Sequence, residues 1–192
     1  MKKHCIALAT ACILFASAIF IHAANAAASS QSQSADTLYS ILERRVDVMK
    51  WVALDKWKNH KSIEDLPREK IVLQKTRKQA ADAGILYIDD LTLTQIQIAK
   101  NEQRRWMEKW NKHGLPKNQN GPTLAELRKQ LDDLSIELIP SLQNIMPSLR
   151  NGKLQPRLHA MLNARLKKLP TDERNALWKA LLKLRASTQK PH

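Results

Sequence analysis

Apolar residues recur every three to four positions along nearly the whole chain, which is the period of helices and not of strands. From Ser34 to Asn59 the stripe is Leu38, Leu42, Met49 and Val52. After a short connection through Ile63 and Glu64, Asp65 reads as an N-cap with Pro67 in the first turn. That helix runs to a stop at Gly84. Asp89 or Asp90 opens a third helix carrying Ile96, Ala99, Gln103, Trp106 and Trp110, and Asn111 to Pro122 is a Gly-, Pro- and Asn-rich loop. Thr123 starts a fourth helix with Leu124, Leu127, Leu131, Leu134 and Leu138. A turn is expected from Met146 to Gln155, then a fifth helix over Pro156 to Leu169. Pro170 and Thr171 begin a sixth with Leu177, Leu181 and Leu184. No strand is expected, so the prediction is an all-α, single-domain bundle of about six helices.

Two cations interrupt the first stripe. Arg45 and Lys56 are eleven residues apart, close to three full turns, so both project from the apolar face. A cation facing a core costs several kcal/mol, on the order of a broken buried ion pair, unless an anion meets it. The pattern therefore predicts a buried site for a negatively charged ligand.

Residues 1–26 are expected to be a signal peptide rather than part of the fold. Lys2 and Lys3 precede an apolar run from Cys5 to Ile21, and Ala24-Asn25-Ala26 fits a small-residue cleavage pattern, placing cleavage after Ala26. The run approaches the length of a membrane span, so an uncleaved anchor is the competing reading. Cleavage would release a periplasmic or secreted chain that meets no membrane. Residues 27–33 form an Ala/Ser/Gln-rich lead expected to be mobile. Residues 34–122 supply the first three helices and a loop, and 123–192 supply the last three helices of the same domain.

Both cysteines, Cys5 and Cys12, fall in the signal segment, so the mature chain must be stable without disulfides. The formal net charge is +14, and removing Lys2 and Lys3 with no acid leaves +12. That excess attracts anions in general and does not choose among nucleic acid, lipid head groups and a small acidic metabolite. Histidines such as His60, His113 and His159 are scattered without ligand spacing, no Gly-rich phosphate loop occurs, and nothing marks a nucleophile. Neither metal nor cofactor is expected.

Other polar residues join Arg45 and Lys56 on inward-facing positions. Arg128 sits between Leu124 and Leu131, Arg68 lies three residues after Asp65, and Gln103 follows Ala99 by four. Taken singly, each long cation can snorkel to water from a stripe's edge, and Asp65 can simply cap its helix. Four cations and an amide in register across four helices fit a shared site better.

These residues resemble a family. Glu43-Arg44-Arg45, Asp55-Lys56-Trp57, Ile63-Glu64-Asp65-Leu66-Pro67-Arg68-Glu69 and Gln95-Ile96 through Ala99-Lys100 to Gln103 look like the periplasmic or secreted all-helical chorismate mutases, with their type II-like fold. The likeness is densest from Leu38 to Trp110 and thins through Thr123 to Arg128. It implies the intramolecular Claisen rearrangement of chorismate to prephenate, without cofactor, in a chain that often forms homodimers in this family. It further implies that Arg45 and Arg128 clamp the substrate carboxylates and that Lys56 and Gln103 donate to the ether oxygen. Arg68 adds positive field or a direct contact, and Asp65 accepts from the ring hydroxyl or only caps its helix. Two positions depart from the pattern. Val72 stands where some helical mutases carry Glu or Gln, and Ala99 where a hydroxyl residue often helps bind a carboxylate. Glu102, beside Gln103, is expected to point outward.

Two other readings stay open on the sequence. One is a non-catalytic basic helical protein that binds nucleic acid or anionic lipid, drawing on runs such as Arg165-Leu166-Lys167-Lys168, although no nucleic-acid motif accompanies them. The other is a degenerate mutase fold that binds an aromatic acid without turnover.

Overall fold

The computed structural model describes the backbone of residues 7–115, 117 and 120–187, with side chains from residue 29 onward. Six helices follow in order: α1 (Ala7–Lys58), α2 (Leu66–Asp82), α3 (Ile88–His113), α4 (Leu124–Arg150), α5 (Gln155–Arg165) and α6 (Thr171–Lys183). The side chains of the expected signal peptide, residues 1–26, lie outside the described residues, and of it only helical backbone from Ala7 is described. The 27–33 lead continues α1 as helix, with the Ser34 and Thr37 hydroxyls donating to the carbonyls of Ser30 and Gln33. Among the described residues no helix is long and apolar enough to cross a membrane.

α1 is the spine. It packs along α4 and α3, while α2 lies across α3 and reaches α4, and α5 and α6 close the end of the bundle. The α1 positions Ala35, Leu38, Tyr39, Leu42, Met49, Val52 and Ala53 are all buried, the three-and-four spacing that turns one helical face inward. Ala35, Leu38, Tyr39 and Leu42 share the main core with Leu134, Leu138, Leu142 and Ile145 of α4, Leu158 and Leu162 of α5 and Leu177 and Leu181 of α6. Near the far end of α1 a separate cluster of Leu54 and Trp110, flanked by Trp57 and Trp106, pins α1 to α3. Between these two apolar masses, Met49 and Val52 with Leu127 form only a thin layer, and the structure opens there.

Several boundaries differ from expectation. α4 runs on to Arg150 in place of a turn from Met146, although Pro140 and Pro147 lie inside it. Ile145, Met146 and Leu149 are buried on this last stretch, and their packing outweighs the hydrogen bond each proline removes. α3 likewise reaches His113, past Asn111, because Trp110 is buried and holds its last turns. α5 ends at Arg165, but Leu166 and Leu169 stay in the core through the following turn. The unexpected strands, β1 (Ile85–Leu86) and β2 (Arg185–Ala186), form a two-residue antiparallel ladder, with Ile85 opposite Ala186. Left-handed backbone at Gly84 and Tyr87 brackets β1, and the Ser187 amide donates to the Gly84 carbonyl. The ladder ties the end of the chain to the α2–α3 connection.

α2 and α4 begin as the sequence suggests. The Asp65 side chain accepts from the Arg68 amide at 3.1 Å, and Thr123 with Glu126 forms a reciprocal capping box. These caps fix where Arg68 and Arg128, each within its helix's first turns, enter the molecule.

Candidate active site

A cavity of about 730 Å³ opens between α1, α2, α3 and α4. Every residue singled out from the sequence lines it: Arg45 and Lys56 from α1, Asp65 just before α2, Arg68 and Val72 from α2, Ala99 and Gln103 from α3, and Arg128 from α4. The eleven-residue spacing thus brings the Arg45 and Lys56 side chains to one hollow, walled by Met49, Val52, Ile96 and Leu131.

The two α1 cations are held differently. Nη1 of Arg45 donates to the Ser135 hydroxyl at 2.8 Å and to the Leu131 carbonyl at 3.3 Å. Ser135 in turn donates to the Leu131 carbonyl at 2.7 Å, so a small polar seat on α4 fixes the guanidinium. Among the described residues only Nη1 has partners, which leaves the rest of the planar fork to a ligand. Burial pulls the Arg45 guanidinium down to about 10, against an opposing pull from Asp132. Lys56 donates to the Ile63 carbonyl at 2.6 Å, which leaves two of its three protons. Burial holds its ammonium below the ordinary lysine range. Asp65 and Glu69 pull it back up, and Arg128 adds to the depression.

The remaining cations meet carboxylates. Arg68 pairs with Asp132 at 3.1 Å, and the other oxygen of Asp132 pairs with Lys75 at 3.4 Å. Arg128, half exposed at the mouth, lies 3.7 Å from the second oxygen of Asp65. Asp65 therefore caps α2 and also faces a cavity cation. Six cations and four carboxylates line the hollow, which leaves a surplus of two positive charges for whatever binds there.

Gln103 is buried. Its Nε2 donates to the Ala99 carbonyl at 3.0 Å and lies 3.6 Å from the Met49 sulfur, while its Oε1 has no partner among the described residues. A sulfur is a weak acceptor, so one N–H can be redirected to a better one. Val72 and Ala99 bring no polar side chain to the cavity. Glu102 departs from expectation: it turns toward α6, is only 16% exposed, and pairs with Arg105 at 2.7 Å beside the buried Glu173.

Several further lining residues either raise no signal in the sequence, as with Asp132 and Ser135, or occur in the family-like motifs without an expected role, as with Lys100 and Gln95. Asp132 and Ser135 follow Arg128 by four and seven, so helical spacing alone places them on the same face of α4. Lys100, 15% exposed, meets Glu64 at 3.5 Å and Glu69 at 3.4 Å and holds the α1–α2 connection against α3. Gln95 precedes Ala99 by four, on the stripe that carries Gln103. Among the described residues no group of acidic, histidine or cysteine side chains could hold a metal ion. The arrangement can receive a compact dianion, orient it between guanidinium forks, and aim an ammonium and an amide at a site of developing negative charge.

Comparison with known proteins points the same way. No protein-family model matches the chain. It is 31% identical over 134 residues to a monofunctional chorismate mutase of Enterobacter agglomerans, covering 67% of this chain and 72% of that protein. It is 25% identical over 150 residues to a secreted chorismate mutase of Yersinia pestis, covering 77% and 80% respectively. Among solved structures, the chorismate mutase of Burkholderia thailandensis superposes with a TM-score of 0.65 at 27% identity, over 77% of this chain and 96% of that one. The secreted chorismate mutase of Yersinia pestis superposes with a TM-score of 0.68 at 25% identity, over 81% and 98%.

Proposed function

Because this chain belongs to the chorismate mutases, we propose that the cavity between α1 and α4 is where it rearranges chorismate to prephenate. The observation that carries the reading is the convergence of Arg45 and Lys56, three turns apart on one helix, with Arg68, Gln103 and Arg128 from three others. The protein is an isomerase, and its reaction asks little covalent chemistry of the enzyme. Within one molecule a C–O bond of the ether breaks as a C–C bond forms, and no proton or co-reactant enters or leaves. The barrier is largely one of orientation, because the enolpyruvyl arm must fold over the ring.

Arg45 and Arg128 take the two carboxylates, where a planar fork offers paired donors. Lys56, with two protons beyond its bond to Ile63, donates to the ether oxygen as negative charge grows there. Gln103 donates alongside it when its N–H leaves the Met49 sulfur. Arg68 exchanges Asp132 for the substrate's field, with Lys75 remaining as that carboxylate's other partner. Asp65 accepts from the ring hydroxyl through the oxygen not engaged in the cap. Val72 and Ala99 shape the wall without polar contact.

Turnover is read as loss of chorismate's ultraviolet absorbance. Lys56→Ala is expected to lower kcat by roughly 10²- to 10³-fold with the fold intact, the usual loss for one transition-state donor. Unchanged kcat in Lys56→Ala would remove that residue from the mechanism.

The proposal places this chemistry outside the cytoplasm. Lys2 and Lys3, the apolar run and the Ala24-Asn25-Ala26 pattern support export, as does the likeness to a secreted relative. Mass spectrometry of the exported fraction should find a chain beginning at Ala27; a full-length chain held in the membrane would contradict this.

A further inference from the structure

One polar group on the cavity wall has no work in the scheme above. Gln95 lies on α3 one turn before Ala99 and two before Gln103, and its side chain lines the cavity. Its Oε1 is buried without a hydrogen-bond partner, and no described group pairs with its Nε2 either. The enclosed oxygen is out of a ligand's reach, but an amide nitrogen without a partner on a cavity wall is a donor that a ligand can take up. Gln95 shares its surroundings with Arg45: the two line both the main cavity and a second hollow of about 40 Å³. Between Gln95 and Gln103, Ala99 offers no side-chain donor.

We propose that Gln95 is a substrate-binding residue whose amide N–H donates to the same carboxylate that the Arg45 guanidinium receives. Of the two ends of the amide, the oxygen is fully enclosed and the nitrogen is not among the enclosed unpaired atoms. The end open to a ligand is therefore the donor. A donor beside a cation suits a carboxylate oxygen and not a second donor. Because the amide is neutral, it adds a directed hydrogen bond without a further buried charge. The proposal deepens the reading of this cavity as the chorismate site and rests on it.

Steady-state kinetics on the purified protein test it. Gln95→Leu keeps the side chain's bulk and removes the donor. The expected result is a KM for chorismate raised about ten- to a hundred-fold, the loss of one hydrogen bond to a charged partner, with kcat largely retained and the melting temperature no lower. Gln95→Glu has nearly the same shape but sets a carboxylate against the substrate's, and its KM should rise further than that of Gln95→Leu. A purely structural Gln95 predicts a lower melting temperature and a near-wild-type KM in the surviving enzyme. That outcome, or an unchanged KM in both variants while the wild type turns over chorismate, overturns the assignment and leaves the reaction standing. A folded wild type without turnover overturns both.

Discussion

Arg45 should make the empty protein less stable, and removing it should separate stability from activity. Its guanidinium is pulled down to about 10 by burial. A displacement of that size from the ordinary arginine value costs about 3 kcal/mol in the charged state. Against this stand its bonds to Ser135 and the Leu131 carbonyl, which together return about 1–2 kcal/mol. Arg45→Met fills the same channel with an apolar chain. The Leu131 carbonyl still accepts from Ser135 at 2.7 Å, so the substitution leaves no backbone group orphaned. The net expectation is a gain of about 1–2 kcal/mol, in line with other buried charges replaced by apolar groups of similar volume. For a chain of this size that is a rise in Tm of roughly 2–8 °C. Thermal unfolding followed by circular dichroism, without substrate, measures it. In the same preparation kcat/KM for chorismate should fall by at least about 10²-fold, as for one lost partner of a desolvated ion pair. A variant that melts clearly below wild type, or that keeps its activity, would refute the reasoning.

Other outcomes follow from the same geometry. The rate should be nearly flat across neutral pH and then fall on the alkaline side below the ordinary lysine range, where the depressed Lys56 ammonium loses its proton. Lys56 is charged more readily in the unfolded chain than in the fold, so on its account stability should rise with pH over that window. A pH–rate profile and a pH–melting series check the two signs, and an alkaline limb unchanged in a residually active Lys56→Gln would exclude Lys56 as its source. Gln103→Glu should confine activity to acid pH, because a carboxylate donates only when protonated; a profile matching wild type would remove Gln103 from the ether oxygen. At Gly121 an added Cβ would overlap the ring of Trp51, so Gly121→Ala should cost about 1–3 kcal/mol in denaturant unfolding. An unchanged midpoint there would show that the loop yields freely.

The bundle was legible in the sequence because each helix carries an apolar stripe and most carry a recognisable start, such as Asp65 or the Thr123–Glu126 box. Its ends were less legible where burial outweighs local preference, as at Pro147 and at Trp110. The β1–β2 ladder joins residues about a hundred positions apart and leaves no local pattern. For the site, Arg45 and Lys56 could be found because a cation in an apolar stripe conflicts with the helix around it. Asp132, Ser135 and Lys100 raise no such conflict: their roles depend on partners from other helices, which one helix's periodicity does not show. Gln95 shares the stripe of Gln103 and stands in a family-like motif, but a neutral amide on a helix conflicts with nothing around it, so no role could be read for it. Glu102 misled because its charge suggested solvent, whereas Arg105 and the neighbourhood of Glu173 give it an enclosed partner.

A single assay addresses the proposal that this cationic hollow folds a doubly acidic substrate into its reactive shape. Chorismate incubated with the purified wild type and with folded Lys56→Ala should be converted to prephenate by the first, saturably, and at most about a hundredth as fast by the second. Folded wild type that leaves chorismate untouched, or equal rates from the two proteins, would contradict it.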